Sequence, residues 1–382
     1  MNRLILVGNG FDLAHGMKTS YNDFILWYLS NCVKRARKID YTDELIDVKC
    51  TSNYDYFRFF NDGAIDDLIQ EYYEESFERI LLSSQNGASS EHETGAPFKF
   101  NIKSRLLEVL LRNCSCESWV EIETEFYELL KSILRKETTY TVKQRDLEIL
   151  NKSLCHIIVK LEEYLEELPD ASYDAKYGEI FSSPLKKFDI LLPWSEGAQW
   201  RSEDRFRINR TCILNFNYTR TASLYIEDIE TIYTPEFINI HGQINENTNP
   251  IVFGFGDELD DDYLKMERER AKGYFRYIKS FWYFKTSNYG NLVRFVDSEE
   301  YQIYVLGHSC GLSDRTMLHM IFEHSNCKSI KIFYYGDENN NNYTEITYEI
   351  ARHFNDKTLM RRRIIPLDHS TRMPQYNDQH HS

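Results

Sequence analysis

Short apolar runs and long amphipathic stripes occupy different parts of the chain. The first run is Leu4-Ile5-Leu6-Val7. The others follow residue 210: Cys212 to Phe216, Phe237 to Ile240, Ile251 to Phe253, Tyr301 to Leu306 and Ile330 to Tyr335. Consecutive apolar positions rich in β-branched and aromatic side chains are the pattern of strands covered on both faces. Between residues 35 and 205 the period changes. Leu68, Ile69, Tyr72, Tyr73, Phe77, Ile80 and Leu81 recur at helical spacing. So do Trp119, Ile122, Phe126, Leu129, Leu130, Ile133 and Leu134, and again Leu147, Leu150, Leu154, Ile157, Ile158, Leu161 and Leu165. The last stripe stops at Leu168-Pro169-Asp170, where proline cannot continue a helix.

This pattern predicts an α/β fold: a Rossmann-like parallel sheet built from residues 1–35 and 205–370, with a large helical insertion over 36–204 and a flexible tail over 371–382. Ser83 to Pro97 and Asn339 to Asn342 read as loops. Arg361-Arg362-Arg363 reads as a solvated turn before the strand-like Ile364-Ile365. No internal repeat is present.

Composition narrows the function. A chain of 382 residues, 42% hydrophobic with 27 Tyr and 23 Phe, supplies core for two or three domains. A formal charge of −15 repels phosphate backbones, so nucleic acid is not expected as a partner. The cysteines at 32, 50, 114, 116, 155, 212, 310 and 327 form no CxxC pair, and Cys114-Ser115-Cys116 has no second pair at zinc spacing. They read as reduced thiols of a cytoplasmic protein, with no metal expected. Four apolar residues before Asn9 are too few for a signal peptide, and no run approaches the ~20 residues of a membrane span.

Candidate chemistry collects at the carboxyl ends of the expected strands, where open α/β sheets gather ligand loops. Gly8-Asn9-Gly10-Phe11-Asp12 follows the first; its glycines would let the backbone approach a pyrophosphate. Asn215-Phe216-Asn217-Tyr218-Thr219, Ile240-His241-Gly242, Phe253-Gly254-Phe255-Gly256-Asp257-Glu258 and Gly307-His308-Ser309-Cys310-Gly311-Leu312-Ser313-Asp314 follow later ones. Plainer roles compete: Asn217 closing a turn, His241 as a core histidine, and Asp12, Ser313 and Asp314 as helix caps.

The opening LVGNGFDLAHGMKTSYNDF resembles that of the bacterial abortive-infection AbiH family; in the insertion the likeness lies chiefly at Trp119 to Glu123. The order of the later blocks resembles the wider sirtuin-like NAD-binding fold. There a GAGxS-like loop is followed by an Asn-Tyr or Asn-Ile-Asp block, a His-Gly and a late Gly-x-Ser. The resemblance implies an antiphage protein that takes NAD as substrate or ligand. It assigns Gly8, Asn9, Gly10, Phe11, Asp12, Gly307, Ser309 and Asp314 to NAD, and Asn217 and His241 to cleavage of the nicotinamide–ribose bond. Histidine suits that task because it exchanges a proton near neutral pH. Asp12 departs from the serine at its place. The absence of paired CxxC motifs removes the zinc ribbon of protein deacylases, so plain NAD hydrolysis fits better than deacylation. A phage-derived activator and an oligomer are further expectations. Two alternatives stand beside this: a non-catalytic NAD or ADP-ribose sensor, and a serine hydrolase. The latter would use Ser309 in its G-x-S-x-G setting, with Asp337 and either His353 or His369.

Overall fold

The computed structural model describes residues 1–50, 61–71, 98–112, 119–186 and 207–376. The expected loop at Ser83 to Pro97 and the stripe beyond Glu71 lie outside them. The strands among the described residues are β1 (Asn2–Val7), β2 (Tyr41–Thr42), β3 (Ile46–Cys50), β4 (Phe98–Ile102), β5 (Thr211–Asn215), β6 (Glu236–Asn239), β7 (Tyr301–Leu306), β8 (Cys327–Tyr334) and β9 (Thr371–Arg372). By internal contacts the chain divides into a sheet unit (Met1–Lys18, Leu168–Lys265 and Tyr277–Ser382) and an insertion unit (Thr19–Glu167 with Met266–Arg276).

In the sheet unit six strands run in the order β6-β5-β1-β7-β8-β9, all parallel. β1 is central, with Arg3 opposite Thr211 on one side and Gln302 on the other. Its side chains alternate between two apolar layers, as a pleated strand requires. Leu4 and Leu6 face a core with Leu292, Phe295, Leu318, Ile321 and Ile350, from the helices Asn288–Ser298, Arg315–Glu323 and Tyr343–Arg352. Ile5 and Val7 face Phe11, Tyr177, Phe181 and Tyr225, from Asn9–Ala14, Ala175–Ser182 and Thr221–Tyr225. Both faces are covered, which explains why these strands read as unbroken apolar runs.

The insertion unit contains the helices Tyr21–Ala36, Arg105–Arg112, Trp119–Arg135 and Tyr140–Glu167 and the antiparallel sheet β2-β3-β4. The expected helical insertion holds these helices, and the sheet is an addition to it that the helical stripes did not show. Ile46 and Val48 are buried while Asp47 is not, the period of two of a one-sided strand. The unit starts at Thr19, not at 36, because the helix Tyr21–Ala36 packs within it: the Phe24 and Trp27 rings lie 5.9 and 5.3 Å from that of Tyr164. Its first turn carries a reciprocal cap, Ser20 Oγ accepting from Asp23 N and Asp23 Oδ2 accepting from Ser20 N. It ends at Glu167, not at 204, because Ala175–Ser182 places Tyr177 4.8 Å from Phe11 in the sheet unit.

Three smaller expectations also change. Ile251 to Phe253 is buried but forms no strand; the nearest pairing is a bridge between Phe255 and Ile278. The tail is partly structured, since Thr371–Arg372 pairs with β8 and Met373 is buried. Arg361 to Arg363 closes the helix Lys357–Arg363, and Arg363 is buried with a guanidinium N–H on the Phe322 carbonyl.

Candidate functional site

The loops leaving β1 and β7 meet backbone to backbone. Gly8 N donates to the Leu306 carbonyl at 3.1 Å, and Gly10 N donates to the Gly307 carbonyl at 2.8 Å. Gly307 adopts φ +66°, and a Cβ there would lie 2.1 Å from Phe11 N. A Cβ on Gly8 would lie 2.6 Å from the His308 Cα, and one on Gly10 would lie 2.9 Å from the Gly307 carbonyl oxygen. The glycines at 8 and 10 are therefore required by contact with the loop after β7, before any ligand is considered. A valine at either would test folding rather than nucleotide binding.

Phe11 and Asp12 belong to the helix Asn9–Ala14. The Phe11 ring is fully buried against Tyr177 and Tyr225, which makes it a packing side chain rather than a ligand-facing one. Asp12 does not cap the helix; it lies inside it and is buried, with Oδ2 accepting the Thr219 hydroxyl at 2.6 Å. Burial pushes its carboxyl up to about 6, against the hydrogen bonds of Thr219, Thr221 and Asn217.

The loop after β5 is held by its own amides. Asn215 Nδ2 donates to the Asn217 carbonyl at 3.1 Å and to Asn239 Oδ1 at 2.9 Å, and Asn217 N donates to Asn215 Oδ1 at 3.2 Å. Asn217 Nδ2 reaches the Gly8 carbonyl at 3.1 Å. Among the described residues no hydrogen bond to its Oδ1 is formed.

His241 stands beyond the end of β6. Its Nε2 lies 3.0 Å from Asp314 Oδ1 and 3.4 Å from the Tyr283 hydroxyl. The same carboxylate oxygen accepts from Lys279 Nζ at 2.9 Å. Burial would raise the Asp314 carboxyl, but the Lys279 ammonium and His241 outweigh it and hold it well below the usual carboxylate range. Asp314 occupies the N-cap position of Arg315–Glu323 yet makes no side-chain cap bond, so the simple capping role is corrected. The ring of Phe216 bridges the cluster, with its centroid 5.1 Å from His241 and 4.0 Å from His308.

Lys279, Tyr283 and His308 were not singled out in the sequence. Lys279 interrupts an aromatic run, Tyr277 to Phe284, and is 1% exposed; a charge inside such a run was the available signal. It is positioned through the FGFGDE block, its N–H donating to the Phe255 carbonyl at 3.0 Å. In that block Asp257 pairs with Arg315 at 3.1 Å.

Ser309 is exposed, and its hydroxyl makes no hydrogen bond among the described residues. Besides Gly307, this loop has a second left-handed residue, Cys310, φ +56°, whose thiol is buried and held far above its ordinary value by that burial. His353 directs Nε2 to the Cys310 carbonyl at 2.7 Å, while Asp337 lies in an exposed loop and His369 is exposed at the end of the short helix Leu367–His369. The geometry forms no serine triad.

His308 and His353 are both pushed down to about 4, chiefly by burial. They remain neutral in the folded chain where the unfolded chain takes protons. Their contribution is complete above about pH 6.5 and is lost as pH falls toward 4. Asp12 acts oppositely: its buried charge destabilises above about pH 6, and acidification relieves it. From these three groups the unfolding free energy should fall by roughly 2 kcal/mol between pH 7 and pH 5, and by roughly 4 in Asp12→Asn, where the offset is gone. Denaturant titrations of both proteins at the two pH values check this.

An all-parallel sheet in which the first strand lies between the second and the fourth, with the third and then the fifth and sixth outside them, is a doubly wound α/β sheet. Its ligand crevice lies at the carboxyl ends where the strand order reverses. Here the reversal falls between β1 and β7, and the Gly8, Asn217, His241 and Gly307 loops all leave that edge. The family profile described as bacteriophage abortive infection AbiH matches residues 4–335. The chain belongs to the AbiH family, and its function lies in phage abortive infection. No curated protein and no solved structure matches it. No helix among the described residues is long and apolar enough to cross a membrane.

Proposed function

We propose that the chain acts in abortive infection by binding NAD at the carboxyl edge of its parallel sheet and hydrolysing the nicotinamide–ribose bond. The observation that carries this reading is the meeting, at the point of strand reversal, of the glycine loop with Asn217, next to the buried His241–Asp314 pair.

The ionised Asp314 faces Nε2 of His241, so the ring proton resides there and Nδ1 keeps a lone pair. In the proposed reaction Nδ1 takes a proton from water as its oxygen bonds to the ribose carbon, and nicotinamide leaves with the bonding electron pair. ADP-ribose and one proton complete the balance. Lys279 keeps Asp314 charged and fixed, and Asn217 Oδ1 accepts from a ribose hydroxyl or the attacking water.

A nucleotide sensor is the second reading, favoured by the burial of Asn217, His241 and Asp314, each 6% exposed or less. Incubating the purified chain with NAD and separating the products decides between them. Nicotinamide and ADP-ribose in equal amounts are expected; tight NAD binding without either product would establish the sensor.

A further inference from the structure

The proposed reaction leaves the Asp12 carboxyl without a task. It follows Gly10 by two residues and is 1% exposed, with Oδ2 on the Thr219 hydroxyl and Oδ1 without a hydrogen-bond partner among the described residues. The groups around it are neutral. Thr221 Oγ1 lies 3.3 Å from Thr219 Oγ1 and contacts the Met17 sulfur, and the Asn217 amide adjoins. His15, one turn along the same helix, directs its ring to the Phe11 carbonyl and the Tyr225 hydroxyl, and burial favours its neutral form. Asp314 and Lys279 pair with each other beside His241. Among the described residues no cation faces Asp12. An ionised Asp12 is thus a buried charge met only by hydroxyls and an amide, whereas the acid form places a donor on the vacant Oδ1.

On the NAD-binding reading the glycine loop faces the pyrophosphate, which carries two negative charges. A carboxylate buried just behind that loop would repel it through poorly solvated space. We propose, on the NAD-binding reading, that Asp12 must carry a proton for a dinucleotide to bind, so that the chain takes up one proton with each NAD. The balance is simple: chain with ionised Asp12, one proton and NAD give the complex with neutral Asp12. The pyrophosphate of NAD does not titrate near neutrality, so the proton is assigned to the protein.

The test is calorimetry of NAD with full-length His241→Ala chain, a background that removes turnover heat and the histidine nearest the proposed reaction. Titrations at one pH in buffers of different ionisation enthalpy give the protons taken up. Expected at pH 7.5 is an uptake approaching one proton per NAD. Between Asp12's values in the free and bound chain, affinity should fall roughly tenfold per pH unit. The same background with Asp12→Asn should take up none and hold its affinity level with pH. Binding by His241→Ala chain with an uptake well below one proton overturns the inference while leaving NAD binding intact. So does an unchanged pH dependence in folded Asp12→Asn chain. No binding by either variant or by the parent removes the NAD reading and this inference with it. The uptake measured without Asp12→Asn is decisive even if that variant does not fold.

Discussion

Gly307→Ala should leave no cooperatively folded sheet unit. The residue sits at φ +66°, where an alanine is strained by roughly 1 kcal/mol. That is the smaller effect. The new Cβ would lie 2.1 Å from Phe11 N and 2.5 Å from Gly10 C, both main-chain atoms with no rotamer to yield. Relief requires the loops after β1 and β7 to separate, which breaks the Gly10–Gly307 hydrogen bond and lifts the Phe11 ring from its aromatic cluster. Losing a buried aromatic contact of that kind costs roughly 3–5 kcal/mol. The sum rivals the ~5–15 kcal/mol that stabilises a typical domain. Gly290→Ala is the control: nothing lies within 4 Å of its Cβ position in the helix Asn288–Ser298, so it should gain up to about 1 kcal/mol. Thermal melts followed by circular dichroism read both. A Gly307→Ala chain melting within a few degrees of the parent would show that the loops are not locked by this contact.

His241→Ala should lower NAD turnover by roughly 10²–10⁴-fold, the usual contribution of a positioned general base. The variant should fold, because Asp314 keeps the Lys279 ammonium as a partner and no uncompensated charge is left in the interior. Asn217→Ala should act similarly on turnover. In stability it loses the hydrogen bond to the Gly8 carbonyl, about 1 kcal/mol, and one of the contacts that hold down the Asp12 carboxyl. NAD should bind both variants. The decisive measurement is nicotinamide release by each purified variant with its melting curve alongside. Folded variants as fast as the parent would make both residues structural and leave the sensor reading.

Much of the sheet was legible because its strands are covered on both faces, which writes them as unbroken apolar runs. The same signal failed at Ile251 to Phe253, since a buried connection needs apolar residues just as a strand does. The small sheet of the insertion was written in the alternation of Ile46-Asp47-Val48 and Phe98-Lys99-Phe100, too short to stand out beside long helical stripes. The four strand-end loops were found because glycine and polar residues have little reason to end a buried strand. Their pairings were not. His241, Lys279 and Asp314 lie far apart in the chain and meet only through strand order, and an aspartate before a helix looks the same whether it caps or pairs.

The central place of β1 has a consequence for biosynthesis. Once made, β1 has no partner in its sheet until Thr211 and its neighbours follow, and no second partner until Tyr301 to Leu306 are made. At roughly 5–20 residues per second the strand waits many seconds, while the insertion, a compact unit of largely contiguous chain, can fold in the interval. Gly307, which fastens the first loop, lies beyond both partners. A nascent or truncated chain ending before it carries neither the lock nor Asp314, so the site is assembled only after Asp314 has been made.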